Sequence, residues 1–213
     1  MSRTTQRVED YLTTIYRLEE ALGEARVSDV ARELRVSVAT VSKVLEKLER
    51  KDLVKRTKYH NVTLTDKGRA IAEEIIAKHR IAELFLSKVL GFNEVEAHYY
   101  AHYMEHLPRE IIDKMHELLG RPPTCPHGNP IPGFHVEEKL LKLVDVFEGA
   151  KCVIKRLLGE LSLVLEFVKR HQVGIGTTMT ILSKTSTSIK IAINGEELEI
   201  PRRVASLIMV SCN

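Results

Sequence analysis

Apolar residues return every three or four positions between residues 5 and 22, which is the spacing of a helix that buries one face. Gly23 is expected to end this helix, because glycine adopts the left-handed backbone of a helix C-terminus without strain. A short second helix is predicted over residues 27–34, with Ser28 as its cap, and a third begins after Ser37. Two short helices joined by a tight turn are typical of a helix-turn-helix.

The next apolar pattern is that of two strands, at residues 53–56 and 62–65, on either side of a turn-forming tip. Between residues 26 and 69 the chain carries 12 Lys or Arg and only 6 Asp or Glu. A helix-turn-helix followed by a basic hairpin predicts a winged-helix DNA-binding domain over residues 1–73, with double-stranded DNA as the partner. A solvated basic surface is the alternative that charge alone leaves open.

The side chains expected to face DNA combine small and short polar residues on the third helix with basic residues. They are Ser37, Ala39, Thr40, Ser42, Lys43, Lys47, Lys55, Arg56 and Lys58. Short side chains let a helix approach base edges in the major groove, whereas lysine and arginine meet phosphates and give salt-dependent affinity. Ser37 has a second interpretation, because it also stands where the helix needs a cap.

Helical spacing continues over residues 67–89, then from Asn93, the expected cap of the next helix, to Pro108, and again over residues 109–119. These helices carry more apolar surface than one small bundle can hide. The sequence therefore predicts that residues 74–140 form a helical domain that makes a symmetric homodimer.

Histidine and glutamate concentrate on these helices. One stretch carries four such residues at positions i, i+4, i+7 and i+8, namely His98, His102, Glu105 and His106. A continuous helix would place all four on one face, and His79 and Glu83 form a similar pair earlier in the chain. Imidazole and carboxylate groups are ligands for divalent transition metals, so the spacing predicts metal binding. A solvated polar face with ordinary side-chain pairs is the alternative.

The connector at residues 120–133 contains five of the seven prolines, which excludes regular structure there. Cys125 and His127 stand two positions apart within it. They are either metal ligands or parts of a rigid loop, and two residues alone favour the loop.

From residue 141 onward the pattern changes to short alternating strands, with one helix at residues 159–171 and a hairpin turn at Asn194–Gly195. Short strands that close on one another predict an SH3-like small β-barrel over residues 141–213. The chain as a whole is predicted to be mainly α with β: an N-terminal winged helix-turn-helix, an α-helical dimerisation and metal-binding domain, and the C-terminal barrel.

The composition of the 213 residues excludes several classes of protein. There is no apolar run of about 18 residues, so no membrane span is predicted, and the first residues lack the apolar segment of a secretory signal. Three scattered cysteines argue against a disulfide scaffold and favour the reducing cytoplasm. The chain has no HExxH motif and no evident nucleophile, which disfavours a metallohydrolase and any other enzyme. A metal-independent or redox-responsive winged-helix regulator is the remaining alternative.

Several motifs together resemble the diphtheria-toxin-repressor/MntR family of metal-dependent transcriptional repressors. They lie at residues 9–16, 36–42, 64–68, 78–80, 105–106 and 125–132. The segment that begins at Val173 and the Asn194–Gly195 turn are similar to the FeoA-like third domain of longer family members. The resemblance implies a cytoplasmic homodimeric repressor that binds a palindromic operator when it holds divalent metal.

The resemblance also implies two metal sites. The primary site is expected at Asp10, His102, Glu105 and His106, and the ancillary site at His79, Glu83 and His98. A residue of the third domain sometimes completes the ancillary site, and Glu160 is the best candidate, with Glu166 and Gln172 as alternatives. Without the resemblance, Asp10 is equally well explained as a first-turn carboxylate that complements the helix dipole.

Three positions bear on the choice of metal. The resemblance leads us to expect Cys or Met ligands in the primary site of iron-type members, where this chain has His102, and Asp10 in place of a thioether. Thr13 stands where manganese-type members carry a further acid. A set of two carboxylates and two imidazoles is of borderline hardness, so it suits Fe(II), Mn(II), Co(II), Zn(II) or Ni(II). We expect Fe(II) first and Mn(II) second.

Overall fold

The computed structural model describes residues 5–57 and 61–212. Its first part contains α1 (Gln6–Leu22), β1 (Ala25–Arg26), α2 (Val27–Glu33), α3 (Val38–Arg50), β2 (Val54–Arg56) and β3 (Asn61–Leu64). Gly23 ends α1 with φ of 78°, as expected. The strands form a three-stranded antiparallel sheet in the order β1-β3-β2. The predicted winged helix-turn-helix is thus present, with β1 as a strand that the sequence did not reveal.

The predicted cap of α2 is wrong. The helix begins at Val27 and is preceded by Arg26, whose side chain makes no capping hydrogen bond. The chain enters α2 directly from β1, because Ala25 and Arg26 pair with Val62 and Asn61 of β3. This pairing leaves no extended residue at Ser28, which therefore lies inside the first turn.

The helical part contains α4 (Asp66–Lys88), α5 (Glu94–Met104) and α6 (Arg109–Leu118). Asn93 and Glu96 form the reciprocal capping box that starts α5. This helix ends at Met104, so Glu105 and His106 follow it instead of continuing its face. Helix α4 runs from the wing to α5 and α6, and it therefore connects the DNA-binding part to the predicted dimer region.

The last part consists of β4 (Leu141–Lys142), β5 (Lys151–Leu157), α7 (Ser162–His171), β6 (Thr178–Lys184), β7 (Ser188–Ile193), β8 (Glu196–Pro201), α8 (Arg202–Ala205) and β9 (Ile208–Cys212). Its six strands form an antiparallel sheet in the order β4-β9-β5-β6-β7-β8. Bulges near Arg156 and Ser183 bend two of the strands, as expected for a strongly curved sheet. Helix α7 starts at Ser162, later than predicted, because Gly159 and Glu160 have positive φ.

One disulfide bond corrects the expectation drawn from the cysteines. Cys152 on β5 and Cys212 on β9 face each other in the sheet register and are joined. They are 60 positions apart in sequence, so only the strand pairing brings them together. Cys125 is the remaining free cysteine, and it is buried.

The first and last parts of the chain share one apolar core. Buried residues of α1, α2 and α3 belong to the same cluster as those of β5, α7 and β9. At the contact, Gly159 lies so close to α1 that a Cβ atom would stand 2.5 Å from the carbonyl oxygen of Arg17. Only glycine fits there, and its φ of 65° also suits glycine. In the described residues, no helix is long and apolar enough to cross a membrane.

Candidate metal centre and DNA-binding surface

Three groups of possible metal ligands lie next to one another: two between α1, α4 and α5, and a third between α4, the connector and the third domain. The outermost joins Asp10 of α1 to Glu105 and His106, which follow α5, with ligand atoms within 4.8 Å of one another. Burial and the neighbouring Glu105 carboxylate raise the pKa of Asp10 above its ordinary value. Two carboxylates that repel each other are the kind of pair that a cation stabilises.

Glu9 also faces this outer group, although the sequence did not point to it. Its Oε2 atom lies 3.0 Å from Nδ1 of His106. Thr13, in contrast, directs its hydroxyl to the backbone oxygens of Glu9 and Asp10, at 3.1 and 3.2 Å. The hydroxyl of Thr13 is therefore engaged within α1.

The middle group consists of His79, His98 and His102. His79 is fully buried between two carboxylates: its Nδ1 lies 2.6 Å from Glu105 and its Nε2 lies 3.0 Å from Glu83. Burial lowers the pKa of His98 to about 3, so this imidazole is neutral near pH 7. A neutral imidazole has the lone pair that a metal requires.

His102 is placed differently from the sequence-based grouping with Asp10. Its ring centroid lies 4.6 Å from that of His79 and 5.0 Å from that of His98. It keeps contact with the outer group through Nδ1, which lies 3.4 Å from Oε2 of Glu105. Glu105 therefore faces both groups, and His102 lies between them.

The deep group consists of four buried side chains from three separate segments: Glu83, Cys125, His127 and Glu160. His127 Nδ1 lies 3.4 Å from Glu83 Oε2, and Cys125 Sγ lies 3.4 Å from Glu160 Oε1. The other ring nitrogen of His127, Nε2, is buried without a hydrogen-bond partner in the described residues. Two buried carboxylates beside an orphaned imidazole nitrogen fit a cation site, because such groups are costly to bury unpaired.

The proline-rich connector brings Cys125 and His127 to this position. The amide of Cys125 donates to the carbonyl of Asn129, and the carbonyl of His127 accepts from the amide of Leu157 in β5. Gly128 has φ of 78°, and a Cβ atom there would stand 2.1 Å from the carbonyl oxygen of Lys155. The connector is thus a rigid loop, as the sequence favoured, and it also presents two possible ligands.

Two arginines surround the Glu160 carboxylate. Arg80 is fully buried and donates to Glu160 through Nε at 3.0 Å and to Glu20 through Nη1 at 3.1 Å. Arg17 Nε lies 3.6 Å from Glu160 Oε2. Burial raises the pKa of Glu160, but Arg80 and Arg17 outweigh it and hold the pKa at about 2. Glu160 is therefore ionised near pH 7.

The three groups form one continuous polar region inside the molecule, because Glu105 faces the outer and middle groups and Glu83 faces the middle and deep groups. Helical periodicity could find the members on α4 and α5. It could not find the deep group, whose other members come from the connector and from the third domain. Of the two alternatives to Glu160, Glu166 does not belong to any of the three groups of described residues, and Gln172 is the C-cap residue of α7.

The described members of the predicted DNA-facing set lie on α3, at its cap and on β2. Ala39, Lys43, Lys47 and Lys55 are exposed, whereas Lys58 lies outside the described residues. Three hydroxyl groups are engaged at the start of α3. Ser37 accepts from the Thr40 amide at 3.1 Å, the Thr40 hydroxyl lies 2.8 Å from that of Ser37, and Ser42 donates to the Val38 carbonyl at 3.0 Å. Arg56 is held by Glu49, with 2.7 Å between Nη2 and Oε2.

Comparison with known proteins gives three successive family matches. Residues 3–62 match the N-terminal DNA binding domain of the iron dependent repressors, and residues 65–133 match their metal binding and dimerisation domain. Residues 141–212 match the FeoA domain. The iron-dependent repressor IdeR of Mycobacterium leprae (strain TN) is 29% identical over 227 residues, which cover 99% of each chain.

Two further proteins are similar to the chain. The HTH-type transcriptional regulator MntR of Geobacillus thermodenitrificans is 35% identical over 116 residues, which cover 54% of this chain and 82% of that protein. The solved structure of the manganese regulator SloR has a TM-score of 0.83 at 30% identity, and the match covers 99% of this chain and 100% of that one.

Proposed function

The chain belongs to the iron-dependent repressor family, and from that premise we propose that Fe(II), with Mn(II) second, controls its binding to operator DNA. The family resemblance, the fold class with an FeoA-like third domain, and the function of a metal-dependent transcriptional repressor are confirmed by the comparisons. The ligands, the order of metals and the operator geometry belong to the proposal.

The outer group is the observation that carries the proposal. Asp10 lies on α1 of the DNA-binding part, whereas Glu105 and His106 follow α5 of the helical part. Residues that share one cation across two parts of a chain stabilise the arrangement in which both can reach it. Asp10, Glu105 and His106 would thus fix the position of the recognition helix α3, and DNA in turn would tighten metal binding.

We assign the other ligands from the same geometry. His102 serves the outer group through its contact with Glu105, and His79, Glu83 and His98 serve the ancillary position. Cys125, His127 and Glu160 extend that position into the connector and the third domain. A divalent cation there would satisfy the unpartnered Nε2 of His127 beside the Glu83 and Glu160 carboxylates, and a cysteine sulfur favours Fe(II) over the harder Mn(II).

The partners follow from the domain content. A DNA-binding domain joined to a dimerisation domain supports a homodimer with two recognition helices, and a two-fold dimer suits a palindromic operator. Because the target is the DNA of the cell, we place the protein in the cytoplasm. We propose no enzymatic activity. A catalytic metal needs an open coordination position that substrate can reach, whereas all four side chains of the deep group are buried.

Metal titration of DNA binding tests this function. The probe is a DNA duplex selected from a random-sequence pool by the wild-type protein in the presence of Mn²⁺. We expect chelated protein to bind it roughly 5- to 150-fold more weakly than metal-loaded protein, measured by fluorescence anisotropy, with Fe²⁺ under anaerobic conditions as the more effective ion.

The variant His106→Ala is expected to remove the response to metal, because it takes one ligand from the group that joins α1 to α5. His135→Ala is the matched control, since His135 is an exposed histidine outside all three groups. Equal DNA binding by chelated wild type, metal-loaded wild type and His106→Ala would show that the proposed control by metal is wrong.

A further inference from the structure

The third domain is attached to the helix-turn-helix by a hydrogen bond at the start of α7. The backbone amide of Ser162 donates to Oε2 of Glu33 at 2.9 Å, and Glu33 is the last residue of α2. Leu161 precedes α7 and supplies no side-chain cap. The first amides of a helix have no partner within the helix and carry partial positive charge. A carboxylate from the DNA-binding part thus caps a helix of the third domain.

Neighbouring contacts keep this bond in place. Leu34 packs against the apolar core that contains Leu161 and Leu165, so the end of α2 and the start of α7 share buried surface. Arg35, in the turn of the helix-turn-helix, lies 3.4 Å from Glu166 of α7. That ion pair is exposed and contributes little to stability. The half-buried hydrogen bond to Glu33 is therefore the principal polar contact between α2 and α7.

The capped amide lies only two positions after Glu160, which belongs to the deep group. Gly159 and Glu160 both have positive φ, and Gly159 rests directly on α1. The side chain of Glu160 is held by Arg80 and Arg17, and the backbone that follows it ends at the amide held by Glu33. The short segment 159–162 therefore connects the deep group to the end of α2, one turn of chain before the recognition helix α3.

We propose that Glu33 is a positioning residue, which fixes the helix-turn-helix against the third domain. Binding of a divalent metal by the deep group would then change the position of α3 through residues 160–162. This inference rests on the proposed metal-dependent function. It adds a second route from metal to α3 that does not pass through Asp10. Residues 160–162 carry Glu160 of the deep group at one end and the amide that holds Glu33 of the helix-turn-helix at the other. Loss of the Glu33 bond uncouples the two ends and leaves all ligands in place.

The variant Ser162→Pro tests the bond with little disturbance of α7. Ser162 is the first residue of the helix, where proline is well tolerated because the amide it removes has no partner within the helix. Leu161 already has φ of −70° and ψ of 143°, the backbone that a residue before proline adopts. The variant keeps the charge of Glu33 and deletes only its hydrogen-bond donor.

Three further variants complete the design: Glu33→Ala, the double variant of Glu33→Ala with Ser162→Pro, and Asp29→Ala. Asp29 is the matched control, because it lies on α2 and pairs with Arg32 of the same helix. DNA affinity is measured with the Mn²⁺-selected duplex in saturating Mn²⁺, and Mn²⁺ stoichiometry and affinity are measured by calorimetry without DNA. Hydrogen exchange of the α2 and α3 amides is followed with and without Mn²⁺.

Ser162→Pro and Glu33→Ala are each expected to weaken metal-dependent DNA binding by about 10- to 150-fold, the effect of losing one hydrogen bond to a charged group. The double variant should lose no more than either single variant, and Mn²⁺ stoichiometry without DNA should stay unchanged. Mn²⁺ should protect the amides of α2 and α3 less than it does in wild type, because only the route through Asp10 remains. Asp29→Ala should behave as wild type.

Wild-type affinity in both single variants, or additive losses in the double variant, would overturn the inference. A wild-type protein whose DNA binding ignores metal would instead refute the proposed function. In that case the hydrogen exchange of the α2 and α3 amides in Ser162→Pro still shows whether Glu33 holds the helix-turn-helix in place. Exchange equal to that of wild type would refute the positioning role, whatever the effect of metal.

Discussion

Arg80 is a full positive charge at a position with no exposure to solvent, between α1, the connector and the third domain. Its guanidinium donates to Glu20, to Glu160 and to the carbonyl of Pro130. These acceptors come from three different segments, so one side chain joins α1, the connector and the third domain. Burying a charge is tolerated only when such partners are complete, and the arrangement is therefore sensitive to the loss of any member.

Replacement of Arg80 by alanine is expected to lower the free energy of unfolding by about 3–5 kcal/mol, because it leaves the buried Glu160 carboxylate without its main partner. Urea denaturation of chelated protein measures the change. Arg121→Ala is the control: Arg121 pairs with Glu117 at the surface, and its loss should cost less than about 1 kcal/mol. Equal losses in both variants would contradict the assigned importance of the buried network.

The recognition helix α3 depends on a cap that the sequence predicted correctly. Ser37 accepts a hydrogen bond from the Thr40 amide at 3.1 Å and has the extended backbone of an N-cap. Its hydroxyl also lies 2.8 Å from the Thr40 hydroxyl. The cap therefore fixes the start of the helix that is expected to enter the major groove.

Ser37→Ala is expected to lower the free energy of unfolding by about 1 kcal/mol, while Ser37→Asn should leave it nearly unchanged, because asparagine caps a helix as well as serine does. Thermal or urea unfolding of the two variants measures the difference. If Asn keeps the stability but weakens binding to the selected duplex, Ser37 also contacts DNA. If both variants are as stable as wild type, the hydrogen bond between the Thr40 amide and Ser37 does not stabilise the fold.

Local signals explain which elements the sequence could predict. The cap at Ser37, the capping box at Asn93 and the left-handed Gly23 act within one turn of chain, so their residue types reveal them. The start of α2 at Val27 was predicted, but its cap was assigned wrongly to Ser28, because the entry into the helix depends on the pairing of β1 with β3, about 35 residues further along the chain. The Cys152–Cys212 bond was missed for the same reason, since it follows from the register of β5 and β9.

In the candidate site, too, features set by local spacing could be predicted from the sequence, and features set by tertiary structure could not. Helical spacing identified His79, Glu83 and His98, but it extended α5 to His106, although the helix ends at Met104. His102 lies beside His79 and reaches the outer group only through Glu105, so it stands between the two groups. The deep group needed tertiary structure, because its ligand atoms come from α4, the connector and the segment before α7.

At the scale of the whole molecule, the helical part leaves an apolar face unpaired. Leu118 is 70% exposed and Leu90 is 55% exposed, and Ile111 and Val89 are also exposed. Phe85 and Met115 lie beside Ile111 and Leu118, so the face is continuous across α4 and α6. This apolar surface lies in the part of the chain that matches the family's dimerisation domain. It supports a dimer with two-fold symmetry, in which both protomers contribute the same residues to the interface.

Leu118→Asp is expected to weaken the dimer by roughly 100-fold or more. Burial of one leucine contributes at least about 1.5 kcal/mol, and a two-fold interface loses it twice. Because Leu118 is exposed in the single chain, the variant should fold normally, so sedimentation velocity would show folded monomers at concentrations where wild type is dimeric. Binding to the selected duplex should fall with dimer content. Phe147→Asp, at a similarly exposed residue of the third domain, should remain dimeric; a dimer that persists in Leu118→Asp would place the interface elsewhere.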